Sequence, residues 1–228
     1  MIDYAEFCER AAANPGRCVI LARHGERPPI DPDDPTFGRD LPLTDAGEAL
    51  ARSCGRALRS LSQNPGDWLF GASPYARTRL TAQCVAEEVL GREAGAGCVR
   101  DCAEIGIPGI WIEDAKRVYE AMRRLGVAQY HERQMRTLEA PGFRNAKDVV
   151  AKFLAWISGP AIPARYAFLA SHDCHIAYLM NGLGVANFTI DDWVGFLQGC
   201  ALFEQTDGTW TAEHIVPDKA NHHSRFVY

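Results

Sequence analysis

No two cysteines in this chain stand in a C-x-x-C pair, although there are eight of them. Cys98 and Cys102 are four apart, and Cys174 adjoins His175, but neither pattern finds the second half that a zinc site needs. No structural metal is expected. Free, buried thiols in a reducing compartment are the reading, not a disulfide framework. No apolar run approaches the length of a membrane span. The start, Met1-Ile2-Asp3-Tyr4-Ala5-Glu6, is acidic and lacks a basic region followed by an apolar one, so no signal peptide is read and the expected compartment is the cytoplasm. A basic surplus is missing as well. With 24 Lys and Arg against 29 Asp and Glu, the net charge of -5 argues against a general nucleic-acid binder. It leaves room for a small anionic substrate, because a local cluster of arginines can oppose the global sign. There is no internal repeat and no low-complexity tract.

What remains is ordinary globular composition, 47% hydrophobic and 23% charged over 228 residues, enough for one sizeable core. A single domain spanning 1–228 is expected. Short strands are predicted near 17–23, 68–73, 98–100 and 166–171. Helices are predicted near 4–13, 44–62, 75–90 and 174–183, with Thr44 as an N-cap and Asp45 suited to the positive end of the dipole. The Pro/Asp-rich loop 28–35 can be neither helix nor central strand. Residues 103–165 are the least regular part and are read as a helical insertion with two helices, near 113–125 and 145–158. The end reads as a hairpin, 199–205 and 209–216 around Thr206-Asp207-Gly208. His222-His223 read as a solvated tail. Alternating strands and helices predict an α/β fold, three-layered, with a mostly parallel sheet flanked by helices and a C-terminal β-hairpin.

In such sheets ligands bind beyond the C-terminal ends of the strands. Three of these strands end in chemistry. The first runs into Arg23-His24-Gly25-Glu26-Arg27-Pro28. Two guanidiniums beside one imidazole repel each other unless an anion lies between them, and a phosphate facing the ring would satisfy both. A solvated basic loop fits this segment alone equally well. The second strand ends in Ser73-Pro74-Tyr75-Ala76-Arg77, where Arg77 opposes the helix dipole unless it serves an anion. The later strand ends in Ser171-His172-Asp173, where Asp173 would also suit a helix start on capping grounds alone. The coincidence of all three at strand exits favours a phosphoryl-transfer site.

The motifs R-H-G-x-R-x-P, L-T-x-x-G over 43–47, S-P-x-x-R-x-x-x-T-A over 73–82 and a late H-D together resemble the histidine phosphatase superfamily. The stretch Ser73 to Arg77 and the short length look like its phosphoglycerate mutase-like branch. Arg23 to Pro29 and His172-Asp173 look like its acid phosphatase branch. The resemblance implies a phosphoglycerate mutase-like fold and a metal-independent phosphatase without a cofactor. His24 would be the nucleophile, forming a transient phosphohistidine, while Arg23, Arg27, Arg77 and His172 hold the phosphoryl oxygens. The implied partner is a small phosphorylated molecule, not nucleic acid or a membrane. Two carboxyls compete as general acid. Asp173 follows His172 as in the acid phosphatase branch and is placed first; Glu104 lies near where the mutase-like branch puts its acid. Glu26 reads as an orienting salt-bridge partner. Arg79, facing away from Arg77, reads as structural. A mutase, a protein phosphohistidine phosphatase and an inert anion-binding protein are the alternatives. The aromatic and basic residues of 103–165 suit either a lid over the site or a packing helix pair.

Overall fold

Six consecutive buried residues form strand β2 (Cys18–Arg23), and alternate side chains of that strand feed two separate cores. Cys18, Ile20 and Ala22 join one cluster, Val19 and Leu21 the other. The computed structural model describes residues 1–31, 34, 36, 38–220, 224 and 226. Pro32, Asp33 and Pro35 of the Pro/Asp-rich loop and the His222-His223 pair lie outside the described residues.

In chain order the elements are β1 (Ile2–Asp3), α1 (Tyr4–Ala13), β2, α2 (Asp45–Leu58), β3 (Trp68–Ala72), α3 (Ala76–Leu90), α4 (Arg92–Gly95), β4 (Arg100–Asp101), α5 (Ala115–Leu125), α6 (Val127–Thr137), α7 (Ala146–Ser158), β5 (Tyr166–Ser171), α8 (Asp173–Gly182), β6 (Gly199–Glu204) and β7 (Trp210–Val216). The strands form one sheet in the order β1-β7-β6-β2-β5-β3-β4. Four neighbouring pairs are parallel, and β6 runs antiparallel to both β2 and β7. The sheet is thus mostly parallel with an antiparallel hairpin, as expected. Helices α1, α2 and α3 supply the apolar side chains packed on one face, and α5 to α8 those on the other. No helix among the described residues is long and apolar enough to cross a membrane.

Local chemistry accounts for the boundaries. Asp3 and Glu6 close a capping box at the start of α1. The Thr44 hydroxyl accepts from Gly47 N at 3.1 Å and starts α2. At the hairpin, Gln205 N donates to Thr209 O, and Gly208 takes the positive φ that the turn requires.

Several expectations need correction. Helix α2 stops at Leu58 and does not reach 62. The third strand is the two-residue β4 at 100–101, one or two residues later than predicted. Strand β1, too short to show a period, pairs with β7. The stretch 103–165 holds three helices where two were expected. Helix α6 escaped because its buried positions are Tyr130, His131, Gln134 and Met135, so two polar residues sit in its inward stripe and hide the apolar spacing.

Candidate active site

Strands β2, β5 and β3 are consecutive neighbours in the sheet and all parallel. Ala170 pairs with Ala22 on one side and Ala72 on the other, so the three strands end level. The ladder continues one residue further, with His24 N donating to Ser171 O and Ser73 N to Ala170 O, both at 3.0 Å. Arg23-His24, Ser73 to Arg77 and His172-Asp173 therefore leave the sheet side by side. The His24 and His172 rings lie with centroids 5.8 Å apart, edge to face.

His24 is buried, and its Nδ1 stands 2.7 Å from Gly25 O. A carbonyl can only accept, so Nδ1 carries the proton and Nε2 keeps its lone pair. Burial, then the charges of Arg23 and Arg77, hold this ring well below the ordinary histidine range, so it is neutral at neutral pH. The loop behind it is clamped. Gly25 N donates to Thr81 Oγ1 at 2.9 Å, and that hydroxyl donates to Arg77 O at 2.7 Å. A Cβ on Gly47 would come within 2.2 Å of Glu26 O, so the first turn of α2 can press on the loop only without a side chain there. This contact, together with Thr44 N donating to Glu26 O, is the physical content of L-T-x-x-G.

The arginines are buried to an unusual degree. Arg23 is 7% exposed and Arg77 5%, where free arginines are almost always solvated. Each lies over an aromatic ring, Arg23 4.3 Å from the Phe196 centroid and Arg77 4.7 Å from that of Tyr75. Arg23 Nη1 donates to Val194 O, and its Nη2 pairs with Asp173 Oδ2 at 3.0 Å. Arg77 Nη1 donates to Gly38 O at 2.7 Å and Nη2 to His172 Nδ1 at 3.3 Å. Burial, then the Arg27 charge, pushes Arg77 down to about 10. Arg27 is half-buried and is lowered by burial, then by Arg23. The Nε–H of all three is buried without a hydrogen-bond partner among the described residues. An unpaired buried donor of this kind costs roughly 1–3 kcal/mol.

Asp173 is the carboxylate beside this trio, ion-paired with Arg23. Burial works to raise its pKa, but Arg23, then His24 and the Cys174 N–H, outweigh it, and the group stays well below the usual carboxylate range. The Trp193 indole N–H lies near it, outside ordinary hydrogen-bond geometry. The side chain keeps 23% exposure. Asp173 is the first residue of α8 and not its N-cap, which is His172 without a side-chain cap hydrogen bond; Asp173 Oδ1 accepts from the adjacent Cys174 N. Glu104 is exposed, on a 3-10 turn over Ala103–Ile105. That turn is tied to the strand exits: Ser171 Oγ donates to Ile105 O at 2.7 Å, and Cys102 N to Ala72 O. Glu26 is exposed at the edge of the first loop. Arg79 pairs with Asp101 on the surface, away from Arg77.

Sequence reasoning assigned no role to Thr81, Ser73, Thr78, Tyr75 or Phe196. The first four sit inside the S-P-x-x-R-x-x-x-T-A stretch, where the spacing of the hydroxyls from Arg77 was the available signal. Phe196 carries no local signal, because it is far from Arg23 in sequence and meets it where the chain enters β6 beside β2. The cysteines are free: six are buried, Cys174 is half-buried and Cys98 is exposed.

The chain matches the family model of the histidine phosphatase superfamily (branch 1) over residues 19–159. His172 and Asp173 lie beyond the matched stretch. No curated protein matches in sequence. Among solved structures, the fold is similar to a phosphoglycerate mutase from Bacillus anthracis, with TM-score 0.55 and 15% identity over 92% of this chain and 96% of that one. It is also similar to a mycobacterial glucosyl-3-phosphoglycerate phosphatase, with TM-score 0.51 and 17% identity over 88% of this chain and 98% of that one.

Proposed function

Because the chain belongs to the histidine phosphatase superfamily (branch 1), we propose that it hydrolyses small phosphomonoesters through a phosphohistidine on His24. One observation carries this reading. Three arginines and one aspartate converge beside a neutral imidazole, and the three buried Nε–H groups have no acceptor of their own. Three positive charges against one negative leave two, which matches the dianion of a phosphomonoester.

In this reading Nε2 of His24 attacks phosphorus while Nδ1–H stays on Gly25 O. Arg23, Arg27, Arg77 and His172 take the charge of the transferring group, each worth about 2–4 kcal/mol in the transition state. The leaving oxygen needs a proton. The ion pair with Arg23 holds Asp173 ionised, which counts against it as donor. Glu104, on the turn tied to the strand exits, is the other candidate and is placed first. Water then attacks the phosphohistidine, with the same carboxyl taking its proton. Hydrolysis is preferred to the mutase reading because a mutase must shield the phosphohistidine from water, and Asp173 beside it keeps 23% of its side chain exposed. Rapid quench with labelled p-nitrophenyl phosphate tests the reading. One phosphoryl group per chain should be trapped in the wild type and none in His24→Ala; equal labelling of both would place the nucleophile elsewhere.

A further inference from the structure

Behind His172 runs a chain of hydroxyls that the reaction above does not use. His172 Nε2 stands 2.8 Å from Ser73 Oγ, Ser73 Oγ lies 3.0 Å from Thr78 Oγ1, and Thr78 Oγ1 reaches Ser73 O at 2.7 Å and Tyr75 O at 2.9 Å. Ser73, Thr78 and His172 are all buried. Every proton in this chain can be assigned from its partners. A guanidinium only donates, so His172 Nδ1, facing Arg77 Nη2, must accept. Nε2 then carries the proton and donates to Ser73, Ser73 donates to Thr78, and Thr78 donates to a carbonyl.

That state cannot serve a bound phosphoryl group, because Nδ1 would turn a lone pair toward an anion. Two remedies exist: a second proton on the ring, or transfer of the ring proton from Nε2 to Nδ1. The surroundings oppose the first. Burial disfavours a charged ring and Arg77 faces it, with Asp173 as the opposing charge; the neutral His24, His175 and Tyr75 rings pack around it, the last edge-on at 4.8 Å. The hydroxyl chain permits the second. Thr78 can leave its carbonyl without stranding it, because Ser73 O also accepts from Tyr75 N, and Tyr75 O from Arg79 N. Thr78 would then donate to Ser73, and Ser73 to Nε2.

We propose that Ser73 and Thr78 are positioning residues forming a reversible hydroxyl relay, which lets His172 move its proton from Nε2 to Nδ1 when the phosphoryl group draws Arg77 away. The hydroxyls reorient and conduct no proton. The Nε2 proton passes to water and another arrives at Nδ1 during transient opening of the site, the reversed hydroxyls then hold the Nδ1–H form, and the ring's charge does not change. Nδ1–H then donates to a phosphoryl oxygen. The proposal rests on the functional reading above.

The test is 15N NMR of histidine-labelled full-length protein, empty and with tungstate as a non-transferable oxyanion. His172 is assigned by its loss in His172→Gln. The expected result is an Nε2–H tautomer in the empty protein and Nδ1–H with tungstate bound. Thr78→Val removes the acceptor for the Ser73 proton, so Ser73 should turn to Nε2 and shift the empty protein toward the Nδ1–H form; Thr78→Ser should restore the wild-type pattern. Ser73→Ala should weaken tungstate binding about tenfold, the loss of one buried hydrogen bond. An unchanged tautomer on tungstate binding, or a doubly protonated ring, overturns the relay. An empty Thr78→Val protein with the wild-type tautomer overturns it too, and that measurement needs no ligand. Absence of tungstate binding in the wild type would instead strike at the phosphatase reading itself.

Discussion

Histidines and aromatic rings are buried in two places in this molecule, at the strand exits and on the helical face built by α5 to α8. At the exits, His24 and His172 are packed among guanidiniums, whose charges add to burial in keeping the rings neutral. On the helical side, His175 stacks flat on Trp111 at 4.8 Å, and His131 Nδ1 donates to Gln134 Oε1 at 2.8 Å. Burial dominates there too, and His175 is pushed down to about 3. The same residue type thus does two jobs. Away from the guanidiniums a buried imidazole is a packing unit, hydrogen-bonded at His131 and ring-stacked at His175, whose Nδ1 has no partner among the described residues. Beside unpaired arginine N–H groups it belongs to an anion site.

That contrast predicts two kinds of loss. His24→Ala should cut kcat on the order of 10^4–10^6-fold with little change in Tm. Phe153, fully buried in the core on the helical side, should behave oppositely. Phe153→Ala should cost about 3–5 kcal/mol of stability, with kcat per folded molecule nearly unchanged. Urea titration and steady-state kinetics on both variants measure this. A His24→Ala protein that keeps its turnover, or a Phe153→Ala protein that keeps its stability but loses turnover, would break the division.

The two carboxyls sharpen the chemistry within the site. If Glu104 protonates the leaving group, Glu104→Gln should lose about 10^2–10^4-fold on alkyl phosphates and far less on p-nitrophenyl phosphate, whose leaving group needs no proton. Asp173→Asn should then show similar losses on both, because it acts by holding Arg23. The reverse pattern would return the acid role to Asp173.

How far these regions were legible differs for a physical reason. The strand exits were readable because each cluster follows a short apolar run, and a parallel sheet brings such run-ends together. Arg77 and His172 are 95 residues apart yet in contact, since β3 and β5 are sheet neighbours. The clamp of Phe196 on Arg23 comes from the segment leading into β6, the antiparallel neighbour of β2, and no local pattern marks it. Helix α6 was missed because it buries His131 and Gln134 where the periodic signal needs apolar residues. Elsewhere in 103–165, α5 and α7 lie where helices were expected, near 113–125 and 145–158, but the surface each would cover was not legible.

Acid should probe both regions together. His24, His131, His172 and His175 stay neutral when folded, whereas unfolded histidine titrates near about 6.5. Below that pH the unfolded chain binds protons that the folded chain refuses. Stability is therefore fully present above about pH 6.5 and falls with acidification, by up to about 1.4 kcal/mol per pH unit for each ring. Urea midpoints at about pH 7.5 and 5.5 should differ in that direction. Equal midpoints would mean that the rings are charged or hydrated in the native state.

The smallest effect is expected at Arg79, and it separates burial from mere proximity in sequence. Arg79 lies two residues from Arg77 on the same helix, and its guanidinium forks onto Asp101 through Nε and Nη2. Both partners are about half exposed, 48% and 53%, so solvent screens the pair and its worth is at most about 1 kcal/mol. Arg77, by contrast, is buried with an unpaired Nε–H. Arg79→Ala should leave kcat and KM within about twofold and lower stability by less than about 1 kcal/mol, while Arg77→Ala should lose about 10^2–10^3-fold in kcat. Comparable kinetic losses in the two variants would mean that the phosphate site extends along the exposed face of α3, and that burial is not what marks its arginines.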